Sequence, residues 1–186
     1  MKVNYDPKDI AIAYLTAKNR FLNNERIKDG LTNLYNHKYF KNSLENEVER
    51  SERYRNHLSL LMIDVDNFKM YNDANGHPAG DKLLQDIASA IKKNTRKIDL
   101  VARYGGEEFA VILPSTPKTL KTRRKNLEKV GERLLDSIRN MDHGTITISI
   151  GAATYQKGEN LAWLIKRADK ALYKAKHKGK NQLVIL

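Results

Sequence analysis

The sequence predicts a β-sheet with helices packed on it, of the α/β or α+β class, and three observations carry that expectation. Apolar residues run almost unbroken through 58–65, as in a strand covered on both faces. Stripes of apolar residues at spacings of three and four mark helices between the strand-like runs. Near 105 a break bearing two glycines separates two strand-like runs, which reads as a hairpin in the middle of the order. A length of 186 residues, 40% of them hydrophobic, suffices for one sizeable core, so one globular unit with a short appendage is expected.

Residues 7–28 carry Ile10, Tyr14, Ala17 and Phe21 at helical spacing, which predicts a stalk or linker over 1–28 ahead of a domain over 29–186. The pattern fades at Asn24 and Lys28, so a long coiled coil is not expected. DGLTNLYN at 29–36 breaks the helix, and Tyr39, Phe40, Leu44 and Val48 stripe a second one. The central strand over 58–65 then runs out into Asp64 and Asp66. The segment after it, rich in Asn, Gly and Pro, is expected to be a loop, followed by a helix over 81–95 with Leu84, Ile87, Ala88 and Ile91 on one face. LVARY and FAVILP flank GGEE, where paired glycines supply the positive φ values that a tight hairpin turn needs. A long helix over 118–140 turns Leu120, Leu127, Val130, Leu134 and Ile138 inward and a basic face outward. TITISIGAAT is rich in β-branched residues and reads as a strand, LAWLIKRADKALYKAKHKGK as a last helix, and QLVIL as a last strand. Trp163 and Tyr173, at helical spacing, are expected in the core.

Lys and Arg number 34 against 22 acidic residues, a formal charge of +12. That excess suits a polyanionic partner such as a nucleotide phosphate or a nucleic acid, and suits a plain basic surface equally well. The absence of Cys excludes a disulfide framework and thiolate metal sites, and fits a reducing, cytoplasmic setting. No stretch approaches the roughly 18 apolar residues of a membrane span, and no signal peptide is visible, so no membrane segment is expected in this chain.

Alternate residues of a strand share a face, so Asp64 and Asp66 can present two carboxylates together, the hard oxygen ligands that Mg²⁺ prefers. A polar strand end facing water has the same pattern. Lys69 lies just past that end, where an ammonium and free backbone N–H groups together hold phosphates, or where a lysine is merely solvated. Asn72 and Asp81 suit a helix surface and an N-cap, yet an amide and a carboxylate converging on one pocket also read a guanine edge. His77, between Gly76 and Pro78, suits a loop better than a general base. Glu107 and Glu108 at a hairpin tip are either solvated or within reach of a cation held by a neighbouring strand end. If Asp64 and Glu107 meet, they form a carboxylate clamp for two metal ions, of the kind that serves in-line displacement at phosphorus. Gly105 and Gly106 would let a nucleotide come close to the backbone.

DGLT at 29–32, IDVDNFKMYND at 63–73, GHPAGD at 76–81, GGEEF at 105–109, TISIGAA at 147–153 and RADKALYKAKHKGKN at 167–181 stand in one order. Over about residues 29–186 they resemble the GGDEF domains, the diguanylate cyclases. The resemblance implies an α+β fold, an α/β sandwich with a nucleotidyl-cyclase or palm-like βαββαβ core, whose central, mostly antiparallel sheet is flanked by helices. It implies condensation of two GTP into cyclic di-GMP with loss of two pyrophosphates. Carried over residue by residue, Asp64, the Val65 carbonyl and Glu107 hold two Mg²⁺ per active site, with Mn²⁺ able to stand in. Glu107 also helps to deprotonate the ribose 3′-hydroxyl, and Glu108 assists at the metal site. Lys69 stabilises charge on the phosphates. Phe68 and His77 belong to the substrate pocket, Asn72 and Asp81 match its guanine readers, and Lys176 matches a phosphate-binding lysine.

Two departures from the family pattern stand out. Lys180 occupies a place where the family usually has Arg, and an ammonium cannot grip phosphate in a bidentate way, so weaker substrate affinity is expected. His37 likewise replaces a common Arg. Arg96 and Asp99 match the RxxD product-inhibition site for cyclic di-GMP; the plainer reading is an i,i+3 ion pair. Each half-site holds one GTP, so the resemblance implies a homodimer for catalysis. Asp81 favours GTP over ATP. Two rival readings stand beside the enzyme: a catalytically weak domain of the same fold that senses GTP or cyclic di-GMP, and a nucleic-acid binder using the basic faces at 121–129 and 166–180. The intact Asp64, Asn72, Asp81 and Glu107 favour the enzyme over the first. No aromatic-rich RNA motif is present, so no nucleic acid is expected.

Overall fold

β1 (His57–Asp66) takes the centre of the sheet because it is apolar on both sides, and every residue from Leu58 to Asp66 is buried. The computed structural model describes residues 27–116, 119–143 and 146–186, without the side chains of Thr116 and Leu120. The stalk expected over 1–28 therefore falls almost wholly outside the described residues, as does the side chain of Leu120. β2 (Leu100–Gly105), β3 (Glu108–Thr116), β4 (Thr147–Thr154) and β5 (Leu183–Ile185) complete a five-stranded sheet in the order β2-β3-β1-β4-β5. Every pairing is antiparallel except β4 with β5. The helices are α1 (His37–Tyr54), α2 (Phe68–Asn75), α3 (His77–Lys93), α4 (Leu120–Arg139) and α5 (Leu161–His177). This is the α+β, mostly antiparallel class expected, and the run from β1 to β4 is the expected βαββαβ order with two helices, α2 and α3, in its first crossover.

The alternation of β1 divides the core into two layers. Leu61, Ile63 and Val65 join Leu84, Ile87 and Ile91 of α3 and Leu127, Leu134 and Ile138 of α4. Leu58, Leu60 and Met62 join Phe40 and Leu44 of α1 and Leu164, Ala168 and Leu172 of α5. Continuing the alternation puts Asp64 and Asp66 on the α1/α5 side, at the end where the lysines of α5 emerge.

Three sequence expectations are corrected. The segment expected as a loop after β1 holds α2 and the first turn of α3, so His77 opens a helix. Gly76, with φ +83°, makes the corner between the two helices, and Pro78 falls in the first turn of α3, where a missing N–H costs nothing. Asp81 is consequently not an N-cap; it lies one turn inside α3, exposed. Trp163 and Tyr173 are not core residues, being 58% and 61% exposed. Periodicity located the faces of α5 but not which one turns inward. The sheet takes the face of small residues, Ala168, Ala171 and Ala175 with Leu164 and Leu172, because α5 lies close over β4. A Cβ on Gly151 would stand 2.1 Å from the Leu172 backbone nitrogen and 2.3 Å from the Ala168 carbonyl oxygen. Among the described residues no helix is long and apolar enough to cross a membrane.

Candidate active site

The register of β1 against β3 brings the two acidic stretches together. Asp64 lies opposite Glu108, and the Val65 N–H donates to the Glu107 carbonyl at 3.3 Å. The tip between β2 and β3 is only two residues long, Gly106 and Glu107. Gly106 has φ +48°, the positive value a Gly-first hairpin turn needs; Gly105 does not adopt a positive φ, so one glycine of the expected pair makes the turn.

The Asp64 side chain is 7% exposed, and Lys176 of α5 reaches it at 2.6 Å. Burial pushes the Asp64 carboxyl above the ordinary aspartate range, the Lys176 bond and charge pull it back, and the charges of Glu107 and Glu108 add to the rise. Burial likewise raises Glu108; Lys176 opposes this, while Asp169 and Glu107 reinforce it. Asp64 and Glu108 thus share the positive charge of Lys176. Among the described residues no three Asp, Glu or His side chains converge tightly enough to chelate an ion alone. Positive charge brought to this end would relieve the repulsion on Asp64 that Lys176 only partly offsets, and the donors of the expected set, two carboxylates and the Val65 carbonyl, are of the hard oxygen type that a divalent cation takes.

Elements outside the expected set hold the hairpin in place. Asp29 accepts from the backbone N–H and hydroxyl of Thr32 at 2.9 and 2.7 Å and pairs with Arg103 at 3.2 Å. Arg103 in turn donates Nε to the Gly106 carbonyl at 2.9 Å. DGLT is thereby tied to the turn of GGEEF, a link between positions 74 residues apart that spacing does not reveal. His37 meets the Tyr104 ring in a tilted contact, with centroids 4.5 Å apart and planes 53° from parallel. Asp169 is a residue sequence reasoning passed over inside the RADKALYKAK motif; burial raises both Glu108 and Tyr104, and the Asp169 charge adds to the rise.

On the far side of the β1 end, Lys69 is exposed in the first turn of α2, beside the half-buried Phe68. Asn72 packs over Gly80, the neighbour of Asp81, so that a Cβ on Gly80 would stand 1.7 Å from Asn72 Oδ1. That oxygen is buried without a hydrogen-bond partner among the described residues. His77 is exposed at the start of α3. Lys180 donates to Asn67 Oδ1 at 2.5 Å and so sits at the N-terminal end of α2. Arg96 and Asp99 form the ion pair of the plainer reading: Arg96 grips the buried Asp99 at 2.7 and 3.0 Å and also donates to the Pro114 carbonyl at 3.1 Å.

A mostly antiparallel sheet whose central strand ends in carboxylates against a two-residue hairpin tip defines a palm-like α+β domain. The chain belongs to the GGDEF family, since the family model of the diguanylate cyclase GGDEF domain matches residues 26–182. It is 39% identical over 163 residues to the response regulator PleD of Caulobacter vibrioides, covering 85% of this chain and 36% of that protein. It is 38% identical over 161 residues to the diguanylate cyclase DgcP of Pseudomonas aeruginosa, covering 86% of this chain and 24% of that one. The chain therefore spans about a quarter to a third of these relatives. Among solved structures it is similar to the coiled coil and GGDEF domain of DgcB from Caulobacter crescentus in complex with c-di-GMP, with a TM-score of 0.83, 30% identity and 96% and 95% coverage of the two chains. It is also similar to the diguanylate cyclase SiaD of Pseudomonas aeruginosa in complex with its activator SiaC, with a TM-score of 0.81, 36% identity and 96% and 69% coverage.

Proposed function

We propose that this domain condenses two GTP into cyclic di-GMP with release of two pyrophosphates, using Mg²⁺ or Mn²⁺, in a two-fold pair of facing half-sites. The observation that carries the reading is the register that sets Asp64 opposite Glu108 and hangs the Glu107 carbonyl on the Val65 N–H. The bound cations would supply Lewis-acid charge to the phosphates and the ribose oxygen. Asp64, the Val65 carbonyl and Glu107 would hold them, while Glu107 takes up the 3′-hydroxyl proton and Glu108 adds negative charge at the same end. Lys176 beside Asp64, Lys180 on Asn67 and the exposed Lys69 of α2 would balance the triphosphate. Phe68 and His77 would line the pocket. The unmatched Asn72 acceptor is one that guanine N–H groups can satisfy once the amide rotates off Gly80, with Asp81 beside it as a second acceptor. Cyclic di-GMP would bind at Arg96 and Asp99 by drawing the guanidinium off its present partners.

Incubation with GTP and Mg²⁺ followed by chromatography tests this reading. Cyclic di-GMP is expected, and Glu107→Gln should lower its rate by about 10²–10⁴-fold, as loss of a general base does. GTP binding without any product would replace the reading with that of a GTP or cyclic di-GMP sensor. In the same assay Arg96→Ala should relieve inhibition by added product while early turnover holds; unchanged inhibition would remove the allosteric assignment.

A further inference from the structure

At the end of β1 the two aspartates share a face but not a task. Asp64 meets Lys176, whereas Asp66, only 2% exposed, is spent on the polypeptide. It accepts from the hydroxyls of Thr147 and Ser149, each at 2.7 Å, and from the backbone N–H of Asn181 at 3.1 Å. That N–H belongs to a left-handed turn just past α5, where Gly179, Lys180 and Asn181 have φ values of +108°, +62° and +48°. Residues with a Cβ adopt such backbone in succession only where their surroundings over-determine it. A second grip comes from the last residue of α4: Arg139 donates Nε to Asn181 Oδ1 at 2.9 Å and a terminal nitrogen to the Asn181 carbonyl at 3.0 Å. Held from both sides, the turn sends Lys180 back to Asn67 Oδ1. Asn67 is the N-cap residue of α2 and makes no side-chain cap bond, so its amide leaves the first-turn N–H groups uncovered. A helix N-terminus with an ammonium beside it is a seat for an anion.

We infer that Asp66 and Arg139 are positioning residues, which clamp Asn181 and so the left-handed turn at 179–181 to hold Lys180 over the N-terminus of α2, where it binds the phosphates of the nucleotide. The phosphate part rests on the function proposed above; the clamp rests on its bonds alone. The device matters more for a lysine than for an arginine. A guanidinium brings its own planar fork to a phosphate, but an ammonium is a point charge on a flexible stem, so its placement must come from the backbone that carries it.

Asp66→Asn keeps the volume of the buried side chain, and Arg139→Ala changes a surface residue, so the second variant decides the matter if the first does not fold. Binding of a non-hydrolysable GTP analogue in the presence of Mg²⁺ is the primary readout. The dissociation constant should rise about tenfold in Asp66→Asn and about threefold in Arg139→Ala, while kcat at saturating GTP changes little and KM carries the loss. In a Lys180→Ala background neither change should cost further affinity, because both act through that lysine. Amide exchange at 180–182 should quicken in both variants while β1 and β4 keep their protection. Unaltered analogue affinity, losses that add fully to that of Lys180→Ala, or a fall in kcat at constant KM would each overturn the inference. A parent chain that binds the analogue and makes product while the clamp variants bind as well as it does would sink the clamp alone. A parent chain that binds no guanine nucleotide would sink the proposed function, and the phosphate role of the clamp with it.

Discussion

Arg103 lies within RYGGEEF, and it is the residue through which a distant motif reaches the turn. Its partner Asp29 is acted on in two directions: burial pushes the carboxyl up, while the two bonds from Thr32 and the Arg103 charge outweigh that and hold it below the ordinary value of 3.8. A depressed folded value means that the stabilisation is present above the ordinary value and is lost as pH falls through the lower one. Asp29→Asn should therefore cost about 1–2 kcal/mol at pH 7, the worth of a hydrogen bond to a charged group, and progressively less as the pH drops below about 4. Denaturant unfolding of both proteins at pH 7 and pH 3 measures this, and a difference that stays constant would remove Asp29 as an ionised anchor. The positions of Asp64, Asp66, Glu107 and Glu108 at strand ends were legible because each stands beside an apolar run, where pattern alone locates a strand terminus. What Arg103 and Asp66 bind was not legible, because their partners lie 74 and 115 residues away.

At the level of elements, hydrophobic period found every described strand and four of the five described helices. It missed α2, an eight-residue helix with no buried residue and hence no apolar stripe to read. It also shortened α3, since Gly76 and Pro78 read as punctuation when they form the corner and first turn of a helix. The seating of α5 on β4 depends on a residue that carries no hydrophobic signal at all. A side chain at Gly151 would meet the backbone of α5, which cannot rotate aside as a side-chain tip can. Gly151→Ala should therefore destabilise the domain by about 3 kcal/mol, the upper end of the usual overpacking cost, and displace Lys176 from Asp64. Gly105→Ala is the control, because a Cβ there meets nothing within 4 Å and should change stability by less than about 0.5 kcal/mol. A fall in GTP turnover with stability intact in that control would report close approach of the nucleotide to the hairpin. Equal stability loss in both variants would contradict the close seating of α5.

For the molecule as a whole, the proposed function makes the carboxylate end of the sheet one half of a reaction centre. On that reading the hairpin tip and the exposed Lys69 would close around a single GTP, and joining two GTP would require a second α-phosphorus opposite the first ribose. Two copies of a chain with formal charge +12 repel each other until anionic nucleotide lies between them, so encounter should be weak without substrate. At concentrations far below the dissociation constant of the pair, the population of facing half-sites varies as the square of protein concentration. Specific activity should then fall about in proportion to dilution, up to about tenfold for each tenfold step, and level off only when the pair saturates. Raised salt should weaken GTP binding while easing the repulsion between copies, so the concentration at half-maximal activity should move by less than the KM for GTP does. Rates measured over three decades of dilution at fixed GTP and Mg²⁺ decide this. A specific activity that stays level throughout would mean that the pair is already saturated at the lowest concentration, and would remove the expectation of weak encounter.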